Sequence, residues 1–303
     1  MKLDFILLFA AGIIVNILIL FILTFRYNMI LKTLFNDSMK FINSFFMQNA
    51  SFVLGYISPF KIGGILAKPL IIKKYTSIKP KDTLFSTFVE IVLDLLWQVA
   101  LFPILFIFVG KKFFDSHEFL ISFILVAISI IIFMILIINK DLSLRIVGLF
   151  FRLMPKKFNI VKKIYKGKNW VETSISKLRL LFSDKRFMFK FFILTVVLLF
   201  LNPLVLFFTF KMYSLSLGYF VALSLYWLTF IIGRLSGLPG GLGARDASLG
   251  FLLIALGVDA SLSVKVTVVS RLILMLPHLG FGIPALVYYG TNGMIKKFRK
   301  DVS

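Results

Sequence analysis

Long apolar runs, broken by short polar and basic stretches, set the layout of this chain. A helix needs about 20 apolar residues to cross a hydrocarbon core of about 30 Å. By that measure seven runs read as membrane helices: Leu3 to Phe25, Phe41 to Ile57, Leu84 to Val109, Phe119 to Ile138, Phe189 to Phe210, Leu217 to Ile232 and Val264 to Tyr289. The first run exceeds the about 7–15 apolar residues of a signal peptide and no clear small-residue cleavage site follows it, so it is expected to be retained. The pattern predicts an all-α integral membrane protein of about 7–8 transmembrane helices.

Composition removes the alternatives. Of 303 residues 59% are hydrophobic, yet Lys+Arg number 35 against 13 Asp+Glu, a formal net charge of +22. So apolar a chain cannot coat a water-facing surface. Nucleic-acid binding needs a soluble basic face with interleaved aromatics, whereas most of the 37 Phe lie inside the apolar runs. With no cysteine, disulfides, iron–sulfur clusters and thiol zinc sites are excluded. The two histidines, His117 in a polar stretch and His278 after Pro277, give no metal set; His278 reads as a hydrogen-bonded bundle residue. No metal or cofactor is expected.

Charge then orients the chain. Asn139 to Lys190 holds 14 Lys+Arg and 3 Asp+Glu, a net of +11, half of the total. Basic segments resist translocation and meet anionic lipid on the cytoplasmic side. The linker and the tail Lys296, Lys297, Arg299, Lys300 are therefore expected to be cytoplasmic in a multi-pass plasma-membrane protein, with amphipathic helices in the linker lying on the inner leaflet. The chain divides into a first membrane repeat with a connecting span (1–138), the basic linker (139–188), and a second membrane repeat with a short basic tail (189–303).

The word repeat rests on register. Pro59-Phe60-Lys61-Ile62-Gly63 and Pro239-Gly240-Gly241-Leu242-Gly243 share a P-x-x-[I/L]-G frame 180 residues apart, and the same shift carries the first, second and third runs onto the fifth, sixth and last. Prolines 59 and 239 break helices, and Gly63, Gly64, Gly240, Gly241 and Gly243 allow positive φ and close approach. Non-helical backbone at membrane depth survives only where protein buries it or it lines a wet cavity. Each motif therefore predicts a broken or re-entrant element opening a short helix whose N-terminus points inward, a place for an anion. If both motifs cross, the repeats are inverted with the N-terminus outside; if the first only dips, the N-terminus is inside.

Charges inside spans cost about 2.5–3.5 kcal/mol each, so those that remain pair or line a cavity. Glu90 and Asp94 share a helical face, and the 180-residue shift places Arg271 opposite Ile91, beside Glu90. That predicts a Glu90–Arg271 ion pair, or a polar path for a lipid headgroup lined by Glu90, Asp94, Arg245, Asp246, Arg271 and Lys61. Arg234 and Lys68 flank the same motifs.

PGGLGARDASLGFLLIALGV (Pro239 to Val258) and SRLILMLP (Ser270 to Pro277) resemble the P-G-G-x-G-x-[RE]-[DE] signature and later Arg…Pro helix of the lysylphosphatidylglycerol synthase/flippase membrane-domain family. PFKIGGILAKP, followed by VEIVLDLL, is similar to that family's first-half pattern, with Gly64 in place of an acidic residue and Ile91 in place of an arginine. The resemblance implies lipid translocation between leaflets. Relatives that make aminoacylated lipid carry a soluble aminoacyl-transferase domain after the membrane region; with Ser303 about ten residues past the last span, that domain and its chemistry are not expected. Other relatives imply lipid-linked glycans as a related substrate class. Three functions follow: a flippase or transporter for a phosphate-bearing lipid; a membrane-embedded transferase using Glu90, Asp94 or Asp246 as base, for which no recognisable catalytic motif is present; and an accessory subunit that holds a separate synthase or glycosyltransferase through its basic linker. The partners expected are membrane lipids, anionic or phosphate-bearing.

Overall fold

The structure, a computed structural model, describes residues 2–94 and 168–289. The Phe119 to Ile138 span, the far end of the Leu84 to Val109 run, His117, linker residues 139–167 and the basic tail lie outside the described residues.

Among the described residues every regular element is helical. In chain order they are α1 (Lys2–Phe35), α2 (Phe41–Tyr56), a single 3-10 turn (Pro59–Lys61), α3 (Ile62–Ile72), α4 (helical from 80 to 94), α5 (Lys168–Ser183), α6 (Lys185–Met212), α7 (Tyr219–Leu235), a second 3-10 turn (Pro239–Gly241), α8 (Ala244–Ala255) and α9 (Ala260–Tyr289). Helices α1, α6 and α9 are long and apolar enough to cross a membrane. Leu3, Ile6, Leu7, Ile14, Phe189, Val264 and Val287 face outward, while Asn16, Arg26, Gln48, Asn49, Lys68, Thr209 and Ser270 are buried. An apolar exterior around a polar interior is what lipid as solvent selects.

Helix α1 runs ten residues beyond its expected end at Phe25. Tyr27, Ile30 and Leu31 keep a buried stripe at i, i+3, i+4, and the helix stops where Asn36 takes φ 53°. Asp184 caps α6, its Oδ1 accepting from the backbone N–H groups of Arg186 and Phe187 at 3.0 Å each. Asp259 caps α9 in the same way through Ser261 and Leu262.

Helices α1 and α6 pack antiparallel: Phe5 stacks edge-on against Tyr213 at one end, and the Arg26 guanidinium lies over Phe191 at the other. Fourteen residues along α1 from Phe5 and fourteen back along α6 from Tyr213, Ile19 falls opposite Leu199, both buried.

The two proline motifs both fold back on the helix before them. A Cβ on Gly64 would stand 2.4 Å from Ser51 O, so α3 returns tightly along α2. In the second half Gly241 lies on Gly233, and Gly233 lies against Arg245 of α8. Each is a re-entrant hairpin whose returning arm, 11 or 12 residues long, covers about 16–18 Å, roughly half of a hydrocarbon core. The α2–α3 hairpin starts beside the C-terminal half of α1, Phe41 against Phe21, and α7–α8 beside that of α6, Tyr219 against Phe207. Since α1 and α6 oppose, the hairpins enter from opposite ends and their tips meet.

The tips share one backbone form. Phe60 and Lys61 have φ 51° and 56°; Gly240 and Gly241, 180 positions on, have 58° and 69°. Positive φ in the first motif therefore belongs to Phe60 and Lys61, not to Gly63 and Gly64. Those two glycines are helical, and they serve close approach alone.

Candidate functional site

At the junction of the tips Phe60 N–H donates to Gly237 O (3.1 Å), and the Phe60 ring lies so close that a Cβ on Gly237 would come within 2.5 Å of it. The depth of this junction can be read from α1. Asn16, near the middle of that 34-residue helix, donates through Nδ2 to Ile273 O and Leu274 O (3.0 and 2.8 Å), one turn from Arg271.

Around the second tip Arg271 Nη2 donates to Gly240 O at 2.8 Å, which fixes the non-helical backbone, and Nη1 stands 3.9 Å from Asp246 Oδ1. Asp246 Oδ2 accepts from Gly243 N–H (3.1 Å), the first turn of α8. Arg245 lays its guanidinium over Tyr226 (4.7 Å to the centroid) and near Phe230 (5.6 Å); Arg234 lies over Phe230 (4.7 Å), and Lys61 from the first tip reaches the same ring at 5.8 Å. A narrow cleft, with room for about one water, lies here. Tyr226, Thr229, Arg245, Asp246, Ser270 and Arg271 line its polar side, and Val205, Leu206, Leu249 and Leu274 its apolar side.

The first half builds its polar residues differently. Glu90 binds Lys68 Nζ (2.5 Å) and accepts from Gln48 Nε2 (3.4 Å). Lys68 also lies over the Tyr27 ring at 4.2 Å, and the Tyr27 hydroxyl is held by Ser86 and Thr87. Asp94 pairs with Arg26, itself buried against Phe191. Across the tips, Asp94 still acts electrostatically on Lys61 and Arg234.

The expected Glu90–Arg271 pair is thus replaced by two local pairs. A shift of 180 residues was expected to bring the two charges to one depth. The equivalent first helices run in opposite directions, so the shift carries a position toward the other end of the bundle instead. The structure gathers Lys61, Arg245, Asp246 and Arg271 near the junction and puts Glu90 and Asp94 in ion pairs beside it. His278 is a bundle residue as expected, its Nδ1–H donating to Leu274 O at 2.6 Å between Phe52 and Tyr56.

Arg26, Gln48, Tyr226 and Phe230 were not predicted. Arg26 follows Phe25, the last residue of the first apolar run; the apolar Met29, Ile30, Leu31 and Leu34 beyond it are the signal that the helix continues. The rings of Tyr226 and Phe230 become visible only once α8 brings Arg245 over them.

The family described as lysylphosphatidylglycerol synthase TM region matches the chain over residues 1–282. No curated protein matches it.

Proposed function

The chain belongs to the family of the lysylphosphatidylglycerol synthase transmembrane region, and from that membership and the geometry above we propose that it is a flippase that moves a phosphate-bearing lipid between leaflets, holding the headgroup where the hairpin tips meet. One observation carries the reading: two re-entrant hairpins enter from opposite ends and touch through Phe60 and Gly237, with Lys61, Arg234, Arg245 and Arg271 around them. Irregular backbone at membrane depth belongs beside a polar path. Guanidinium groups are the side chains suited to phosphate.

The two halves act as inverted repeats. Supporting this are the antiparallel α1 and α6 and the matched φ signs 180 positions apart. A symmetric pair of hairpins supplies two pseudo-equivalent conformations, one open to each side, as alternating access requires. The protein sits in the plasma membrane. The base of the first hairpin carries Lys32, Lys40, Lys73, Lys74, Lys79 and Lys81, whereas that of the second carries Lys211 and Lys265, so the first faces the cytoplasm with the basic linker. The N-terminus is then outside: α2 and α3 together return to the side they entered from, which leaves the same parity as two crossings.

The test is transport. In proteoliposomes carrying a fluorescent polyprenyl phosphate or phospholipid, the purified protein should increase the fraction of label reached by an impermeant quencher within minutes. Rates equal to those of empty vesicles for every phosphate-bearing lipid tried would overturn the reading.

A further inference from the structure

The carboxylates near the tips are already committed. Glu90 is bound by Lys68, Asp94 by Arg26, and Asp246 by Arg271 and the Gly243 N–H. Elsewhere Asp37 is taken by Ser77, Asp82 by Lys177, and Asp184 and Asp259 by helix N-termini. Among the described residues, Lys61 and Arg245 have no carboxylate within ion-pair distance, and their cationic groups meet the faces of Phe230 and Tyr226. Ring faces attract cations but do not neutralise them. Lys61 also feels the like charges of Arg234, Arg245 and Arg271. Arg271 Nε is buried with no hydrogen-bond partner among the described residues, a donor left over after its two contacts.

Among the described residues these are two cations without an ion-pair partner, Lys61 having only the more distant Asp94, which Arg26 already holds; with a spare guanidinium donor at the same junction they specify what neutralises them. We propose that the headgroup is a phosphate monoester or diphosphate, bringing at least two negative charges, with Lys61 and Arg245 as its charge partners and Arg271 as a hydrogen-bond donor. This deepens the lipid reading and rests on it. A diester such as phosphatidylglycerol brings one charge and leaves one cation unmatched. A lysyl headgroup brings amines into a centre that is already cationic and is repelled, although the family takes its description from lysylphosphatidylglycerol. The two tips contribute one cation each, so a bound monoester also bridges them.

Binding in nanodiscs distinguishes the cases, with four probes: polyprenyl phosphate, phosphatidylglycerol, lysylphosphatidylglycerol and soluble inorganic pyrophosphate. Polyprenyl phosphate should bind at least about tenfold more tightly than phosphatidylglycerol at pH 7, and that preference should shrink at pH 5, where a phosphate monoester (second pKa about 6) carries one charge. The pH comparison uses the unaltered protein, so it stands even where a variant fails to fold. Lys61→Met and Arg245→Gln should each remove most of the preference, and Lys61→Arg should keep it. Equal binding of phosphatidylglycerol at pH 7, or tighter binding of the lysyl lipid, overturns the monoester assignment and leaves the lipid reading intact. Pyrophosphate binding with no lipid bound overturns the lipid reading and keeps the charge assignment. No binding of any probe overturns both.

Discussion

The two hairpins are built on one backbone and treat charge in opposite ways. Moved back by 180 positions, the second-half cleft residues Leu206, Arg245, Asp246, Ser270, Arg271 and Leu274 fall on Arg26, Ile65, Leu66, Glu90, Ile91 and Asp94. Where the second half holds a narrow cleft with arginines along it, the first half carries residues of two neutral pairs, Arg26–Asp94 and Lys68–Glu90. A buried pair that cancels itself leaves no net charge to offer a ligand and is costly only when one partner is removed. A cation with only rings for company is costly in the free protein, and its cost is offset when an anion arrives. On the proposed function, the difference leaves the first half to hold the fold and the second, with Lys61 reaching across, to bind.

The largest effect should come from breaking a first-half pair. Asp94→Asn leaves Arg26, 3% exposed, buried with its charge uncompensated, which costs about 3–5 kcal/mol. Exchanging both partners, Arg26→Met with Asp94→Leu, should recover most of it. Arg245→Gln should be neutral or raise the melting temperature, since it removes a charge without orphaning a partner. The check is thermal melting of the purified variants in one detergent. If Asp94→Asn melts no lower than Arg245→Gln, the division between the halves is wrong.

How much of this was legible from the residues follows the same division. The span positions, the 180-residue register and the two proline motifs came from local pattern: apolar run length fixes helices, and prolines break them wherever they stand. The second-half cluster of Arg245, Asp246 and Arg271 was also legible, because intramembrane charges are few. Partner identity was not. Glu90 was matched to Arg271 by register, but which helices run alongside each other depends on crossing number, and the sequence left both topologies open. Lys68 reaches Glu90 only because α3 folds back as a hairpin. The positive φ of Phe60 and Lys61 was hidden for another reason: nothing in those residue types requests a left-handed backbone, and only the glycines at 240 and 241 do.

That last mismatch gives the next prediction, with a smaller effect of opposite sign in the two halves. A non-glycine residue in the left-handed region costs about 1–2 kcal/mol. Lys61, at φ 56°, bears that cost; Gly241, at φ 69°, does not. Lys61→Gly should therefore stabilise the protein by about 1 kcal/mol, even though it removes the proposed charge partner of the headgroup. Gly241→Ala should destabilise it by more than about 1 kcal/mol, because the new Cβ would also stand 3.1 Å from Gly233 O. Denaturant or thermal unfolding of both variants, beside lipid binding for Lys61→Gly, checks it. A gain in stability with a loss of binding marks Lys61 as kept for function; a loss of both would mean that the side chain holds the tip.

The smallest effect concerns a tie present in one half only. Asp37, in the loop after α1, accepts from the Ser77 backbone N–H (3.0 Å) and hydroxyl (2.8 Å), joining that loop to the one before α4. At the corresponding second-half positions stand Leu217 and Gly257, which cannot make it. The two Ser77 hydrogen bonds lower the Asp37 pKa below its ordinary 3.8. A carboxyl depressed in the folded state contributes stability above its unfolded pKa and loses it as pH falls through the lower folded value. The tie should thus hold at pH 5–7 and dissolve below about pH 4. Because the group faces solvent and is screened, its worth is no more than about 0.5 kcal/mol. Hydrogen exchange at residues 36–40 and 76–79 should quicken as pH is lowered through that window, after correction for intrinsic rates, and the loops at 213–218 and 256–259 should show no matching step. Asp37→Asn should flatten the first-half step; a step that survives the substitution would mean that another group closes this loop.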